Sequence, residues 1–246
     1  MSSVTTKLLV NYSYDVNNNK NELGIPKLLF KQILSYRDYK SVYDEIRAGF
    51  IPENDYNGNK ALKIASETNN IKLIKFFIDK GANDWNWGMY GAACNGHVEL
   101  VQFFIDKGAN DWNLGMYGAA CSGHMKLMQF FIDKGANDWN WGMYGAASNG
   151  HVELVQFFID KGANDWNFGM LGAAFGGHIK IVKLFIDKGA NDWDQGMYNA
   201  ASNGHVELVQ FFIDKGANDW NDGMYGAAFG GHIKIVKLFI DKGAND

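Results

Sequence analysis

From residue 98 the chain reads Val98-Glu-Leu-Val-Gln-Phe-Phe-Ile-Asp106. Its apolar residues Leu100, Val101, Phe104 and Ile105 are spaced i, i+1, i+4, i+5. That spacing lays one apolar stripe along a helix. Just before it, Asp84-Trp-Asn-Trp-Gly-Met-Tyr-Gly-Ala-Ala-Cys-Asn-Gly-His97 reads as a first helix. Asp84 is placed to cap it, since a carboxylate accepts the orphan N–H groups of a first turn. Asn95-Gly96 ends it, because glycine tolerates the left-handed conformation that closes helices. His97 opens the second helix and Gly108 closes it.

The pattern then recurs. Ile-Asp-Lys-Gly-Ala-Asn begins at Ile78, Ile105, Ile132, Ile159, Ile186, Ile213 and Ile240, every 27 residues. Trp85, Trp112, Trp139, Trp166, Trp193 and Trp220 keep the same step, as do the six histidines from His97 to His232. Residues 141–188 and 195–242 differ at four positions, the mark of a recently duplicated two-repeat block. A fixed period of this kind predicts a repeat array. Two helices and two turns use the whole unit and leave no length for a strand. The expected fold is all-α, a solenoid of stacked helix pairs.

These residues carry a family resemblance. The unit beginning Asn57-Gly-Asn-Lys-Ala-Leu-Lys-Ile-Ala and the later Ala92-Ala93-Cys94-Asn95-Gly96-His97, with the closing Gly-Ala, resemble ankyrin repeats over about residues 38–246. Units of that family usually run about 33 residues. The six missing here fall between Gly-Ala and the first helix, where the family builds a projecting β-hairpin. The Thr-Pro-Leu-His signature is replaced by forms such as Trp87-Gly88-Met89-Tyr90. Shortened, Asn- and Lys-rich arrays also resemble ankyrin proteins of large amoeba-infecting DNA viruses. The resemblance implies a protein-interaction scaffold with another protein as partner, bound along the first-helix, concave surface. Ile25-Pro26 followed by Ile33-Leu34-Ser35-Tyr36 resembles the start of an F-box, so a ubiquitin-ligase adaptor is the alternative.

The expected organisation is a polar tail over 1–24, a helical cap with its first loop over 25–56, and seven repeats over 57–246. The last unit repeats the internal Ile233, Ile235, Val236 and Ile240 where a polar cap is normal. Either the array is truncated, or something covers that end; self-association is one such cover.

Net charge is −4 with both signs interspersed, so no basic footprint points to nucleic acid. No apolar run is long enough to span a bilayer, and the first ten residues are too short in apolar character for a signal peptide. The expected location is cytoplasmic, in the host if the protein is viral. Cys94 and Cys121 occupy one place in consecutive repeats, roughly 8–10 Å apart. A disulfide needs Cα atoms within about 7 Å, so both read as free thiols.

Chemistry finds little purchase. The histidines come one per repeat with no cysteine or carboxylate cluster beside them, so they read as structural and no metal or cofactor is expected. Asp106 and Asp133 read as a solvated row, and no catalytic residues are expected. Trp85 and Met89, with their equivalents, read as packing between repeats. Gly88 and Gly91 read as points of close helix approach between units. Lys72, Glu99, Lys126, Glu153, Lys180, Glu207 and Lys234 alternate in sign, which would penalise a one-repeat slip.

Two positions vary where all else agrees. One reads Trp87, Leu114, Trp141, Phe168, Gln195, Asp222; the other reads Cys94, Cys121, Ser148, Phe175, Ser202, Phe229. Relaxed surface drift explains them, or a partner-binding groove graded from aromatic to polar. They are the candidate binding residues.

Overall fold

The computed structural model describes residues 58–79 and 81–245. The expected tail, the helical cap and the F-box-like segment lie outside those residues. Among the described residues the chain forms fourteen α-helices and no strand. It divides into two compact units, Met1–Asn110 and Asp111–Asp246. The first holds α1 (Gly58–Glu67), α2 (Ile71–Asp79), α3 (Trp85–Cys94) and α4 (Val98–Asp106). The second holds the pairs α5 (Trp112–Cys121) and α6 (Met125–Asp133), α7 (Trp139–Ser148) and α8 (Val152–Asp160), and α9 (Trp166–Phe175) and α10 (Ile179–Asp187). It ends with α11 (Trp193–Ser202) and α12 (Val206–Lys215), then α13 (Trp220–Phe229) and α14 (Ile233–Asp241).

Each first helix starts where its aspartate predicts. The carboxylates of Asp84, Asp111, Asp138, Asp165, Asp192 and Asp219 each accept from the N–H three residues on. Each pair closes on a left-handed glycine, as at Gly162 with φ +106°.

Within a repeat, the second helix presses a phenylalanine onto a glycine of the first. Phe104 in the first unit is fully buried, as are Phe131, Phe158, Phe185, Phe212 and Phe239 in the second. A Cβ built on Gly169 would stand 2.6 Å from Phe185 Cζ. This explains a glycine in mid-helix, where it costs about 1 kcal/mol against alanine. The Gly88 class therefore serves contact inside a repeat, not between repeats as its recurrence predicts.

The Gly91 class does act between repeats. Successive first helices pack directly on one another, α1 on α3 in the first unit and α5 through α13 in the second. A Cβ on Gly172 would lie 2.7 Å from Tyr144 O, and one on Gly145 would lie 2.8 Å from Tyr117 Cδ2. Met116, Met143, Met170 and Met197 fill the interior of this stack with no exposure. The tryptophans do not join them. Trp166 and Trp220 are half-buried, covered by Lys188 and Lys242 with Nζ 5.3 and 5.5 Å from their rings.

Without a hairpin, side chains tie one repeat to the next. Asn140 Oδ1 accepts from the N–H of Asn164 at 2.9 Å and of Asp165 at 3.0 Å. Asn113, Asn167 and Asp194 hold the next loop in the same way, and Asn86 does so for Asn110 in the first unit. The histidines supply the second tie. The ring Nε2 of His151 meets Cys121 O at 3.1 Å, and that of His205 meets Phe175 O at 2.9 Å. In the first unit His97 meets Glu67 O at 3.2 Å. Each acceptor is the last residue of the preceding first helix, whose carbonyl has no helical partner. A carbonyl only accepts, so Nε2 carries the proton.

The alternating charges take no part in these ties. Lys72, Glu99, Lys126, Glu153, Lys180, Glu207 and Lys234 are all exposed, and among the described residues of each unit none of them forms an ion pair. Register is held by the asparagine and histidine bonds instead.

Two expected outcomes follow from this packing. Gly169→Ala should lower stability by about 1–3 kcal/mol in urea unfolding, because overpacking against Phe185 outweighs the gain in helix propensity. Asn140→Ala should cost about 1 kcal/mol. Asn140→Asp should keep most of the wild-type stability, since Asp194 already makes the same bonds; equal losses for the two variants would show that the acceptor is not what matters.

Candidate functional site

The first position of the candidate groove does not form the uninterrupted exposed row that its spacing allows. Trp87 is 43% exposed, but Leu114 is buried. Trp141 and Phe168 are half-buried, Gln195 is exposed and Asp222 is half-buried. The cause is a tyrosine one repeat back. Trp141 lies flat on Tyr117, with centroids 4.8 Å apart and planes 6° apart. Phe168 lies on Tyr144 at 4.5 Å and 20°. Tyr117 and Tyr144 are themselves 6.4 Å apart. The second unit thus carries a strip of four contacting, half-buried rings.

The strip stops where Leu171 replaces the tyrosine and Gln195 replaces the ring that would stack on it. Beyond it the surface turns acidic. The Asp222 carboxyl is held above its usual range by partial burial, and then by the charges of Asp219 and Asp194. In the first unit, Trp87 meets Tyr90 edge-on at 5.3 Å. Lys63 Nζ sits 5.6 Å from the Trp87 ring and 4.8 Å from the Tyr90 ring.

The second position is split by chemistry. Cys94 and Cys121 are half-buried and not bonded in a disulfide. Ser148 and Ser202 turn their hydroxyls back to the carbonyls of Gly145 at 2.9 Å and Asn199 at 3.0 Å. Phe175 and Phe229 stand out, 46% and 82% exposed. This position is therefore not one surface but three local solutions to ending a helix.

Sequence reasoning missed the tyrosines that carry the strip and the asparagines that carry the loops. Both had a visible signal. Asn or Asp recurs at the second residue of six first helices, a place where it gains little from helix propensity. Tyrosine recurs three residues beyond the variable aromatic and fails once, at Leu171.

Among the described residues no group of three or more His, Cys, Asp or Glu side chains is placed to hold a metal ion. The rings of His97, His151, His178 and His205 are committed to backbone carbonyls. His178 is held below the usual imidazole range by burial, against the opposing effect of its bond to Ser148 O, with His205 and His151 adding to the lowering. No helix of the described residues is long and apolar enough to cross a membrane.

Pairs of short antiparallel helices, joined in register by side chains and repeated every 27 residues, define a helical repeat protein. The sequence model of the family described as ankyrin repeats (three copies) matches residues 89–169 and again 170–246. These spans make up more than half of the chain, which belongs to the ankyrin-repeat family. No curated protein matches it. Ankyrin repeats generally mediate protein–protein interaction.

The depressed His178 imidazole has a signed consequence. The unfolded chain binds the proton more readily than the folded one, so stability rises with pH through this window. It should be complete above the ordinary histidine pKa of about 6.5 and decline as pH falls below that value. Urea unfolding near pH 7.5 and pH 5.5, about one unit either side of it, should show this loss, with a smaller pH difference in His178→Gln. An unchanged difference in the variant would assign the slope to other groups.

Proposed function

We propose that the protein is an interaction scaffold whose partner, another protein, binds along the first-helix surface. The observation that carries this reading is the aromatic surface itself. In the first unit Trp87 is exposed, and in the second Tyr117, Trp141, Tyr144 and Phe168 form a strip of half-buried rings. Tryptophan and tyrosine are enriched among binding hot spots, where they supply large contact area from rigid side chains. The stacking fixes these rings in advance, so little conformational freedom is lost when a partner arrives. The position of Trp87, Trp141 and Phe168 varies among repeats that otherwise agree, which fits a surface tuned to a non-repetitive partner. With Gln195, Asp194 and Asp222 beyond the rings, affinity should concentrate on the aromatic side.

Photo-crosslinking tests the surface before any partner is known. A benzophenone amino acid at Gln195 or Trp87 should trap a specific protein that the same group at exposed Glu99 does not. Against that protein, Trp87→Ala should weaken binding about tenfold or more, with the helix content unchanged by circular dichroism. Undiminished affinity in the folded variant would place the partner on another surface.

A further inference from the structure

Three first helices end on the same dipeptide. Asn95-Gly96 follows α3, Asn149-Gly150 follows α7 and Asn203-Gly204 follows α11. The residues after them, 97–106, 151–160 and 205–214, are identical. The backbone is nearly identical too. The three asparagines have φ/ψ of −119°/13°, −120°/11° and −111°/7°. Each glycine donates its N–H to an alanine carbonyl, Ala93 O at 3.2 Å, Ala147 O at 3.3 Å and Ala201 O at 3.2 Å. With no Cβ on the glycine, its nitrogen is open to close approach by the asparagine side chain.

The side chains are where the three sites part. Asn149 Nδ2 donates to Gly145 O at 3.4 Å and to Ser148 Oγ at 3.0 Å. Asn203 Nδ2 donates to Asn199 O and to Ser202 Oγ, both at 3.0 Å. Each serine hydroxyl donates in turn to the same carbonyl, at 2.9 Å for Ser148 and 3.0 Å for Ser202. Both carboxamides are therefore held in a closed set of bonds. In the first unit Cys94 stands in the place of the serine. There the exposed Asn95 carboxamide makes no hydrogen bond among the described residues.

We infer that Asn95 is a site of spontaneous deamidation, and that Ser148 and Ser202 protect Asn149 and Asn203 from the same reaction. The Gly96 nitrogen gives up its proton to solvent and bonds to Asn95 Cγ. The Cγ–Nδ2 bond breaks and ammonia leaves with a proton from solvent, closing a succinimide ring. Water then adds to one of the two ring carbonyls and opens the ring to aspartate or isoaspartate. Nothing is oxidised or reduced, and water is the only co-reactant. Two movements are required. The glycine N–H must leave its alanine carbonyl, which is common to all three sites. The carboxamide must also swing onto the glycine nitrogen, which breaks two hydrogen bonds at Asn149 and at Asn203 but none at Asn95.

The product bears on the packing of the first unit. Isoaspartate adds a methylene to the backbone between α3 and His97, whose ring Nε2 meets Glu67 O at 3.2 Å. The new carboxylate also lies at the C-terminal end of α3, where the helix dipole disfavours negative charge. Deamidation at Asn95 thus loosens the tie between the first two helix pairs. The reaction is confined to the turn and is independent of the proposed partner surface.

Peptide mapping of the full chain by mass spectrometry, after storage near neutral pH, tests this. The three sites fall in peptides of different sequence. Asn57, which also precedes a glycine, lies outside the described residues and is read separately. Deamidation at Asn95, with isoaspartate among its products, should run about three- to tenfold faster than at Asn149 or Asn203, the factor that one or two anchoring hydrogen bonds give. Ser148→Ala should speed Asn149 by a similar factor, and Cys94→Ser should slow Asn95 toward the rate of Asn149. Circular dichroism checks that each variant stays folded. In urea the three rates should converge, because the residues that follow each site are the same. Equal rates in the folded protein overturn the proposal, as does a lack of isoaspartate at Asn95 or a Ser148→Ala variant that leaves Asn149 unchanged. So does a difference that persists in urea, which would trace it to the preceding residue and not to the fold.

Discussion

Every boundary between repeats within a unit is closed by side chains that bond to the neighbour's backbone. An asparagine near the start of one first helix holds the N–H groups that lead into the next repeat. A histidine at the start of a second helix holds the carbonyl at the end of the preceding first helix. Together they do what a longer repeat gives to a β-hairpin, with one acceptor and one donor in place of a strand pair. Because both partners of each bond are fixed relative to their own helix, the bonds set the offset between helix pairs. The close approach of first helices then follows, and with it the need for glycine at that contact.

The sequence varies in ways that respect this packing. Glycine at the Gly145 place lies against a tyrosine of the preceding repeat. Asn199 takes that place in the one repeat whose predecessor carries Leu171 instead, and its amide donates to Gln195 O at 2.9 Å. A loop lysine lies over a phenylalanine four residues earlier, as Lys161 does over Phe157 at 5.5 Å. Where leucine replaces that phenylalanine, at Leu184 and Leu238, the lysine turns to Trp166 or Trp220. These paired changes show contacts being exchanged as units, and each keeps an ammonium over an aromatic face, worth about 0.5–1 kcal/mol at exposed sites.

Much of the fold was legible because it is local. Asp84, Gly96 and Gly108 act within a few residues of themselves, and the Leu100, Val101, Phe104 stripe lies on one helix. The residues that escaped notice act at a distance of nearly one repeat. Asn140 reaches Asn164, and Trp141 reaches back to Tyr117, so neither contact exists until the turns between them are placed. The same distance explains why the sequence alone assigns the tryptophan row to packing between repeats. Invariance among copies reports a shared environment, and for Trp166 that environment is a half-buried site under Lys188. The candidate site was legible as a set of variable positions, but not as a stack of rings, since stacking depends on the tyrosine that does not vary with it.

One consequence reaches beyond a single molecule. From residue 139 onward two kinds of repeat alternate, and they are not interchangeable neighbours. A Cβ on Gly176 or Gly230 would meet the carbonyl of Ser148 or Ser202, while the repeat after Phe175 accommodates Asn203 at the same place. Lys183 likewise leans toward Phe211 of the repeat that follows it, 5.7 Å from the ring. Insertion or loss of a two-repeat block therefore reproduces junctions that already exist, whereas a change of one repeat creates a junction with no precedent in that unit. Unequal recombination among such similar coding segments is frequent in principle, but selection on packing would pass the even steps and discard the odd ones. The near identity of residues 141–188 and 195–242 is what such a filter leaves behind.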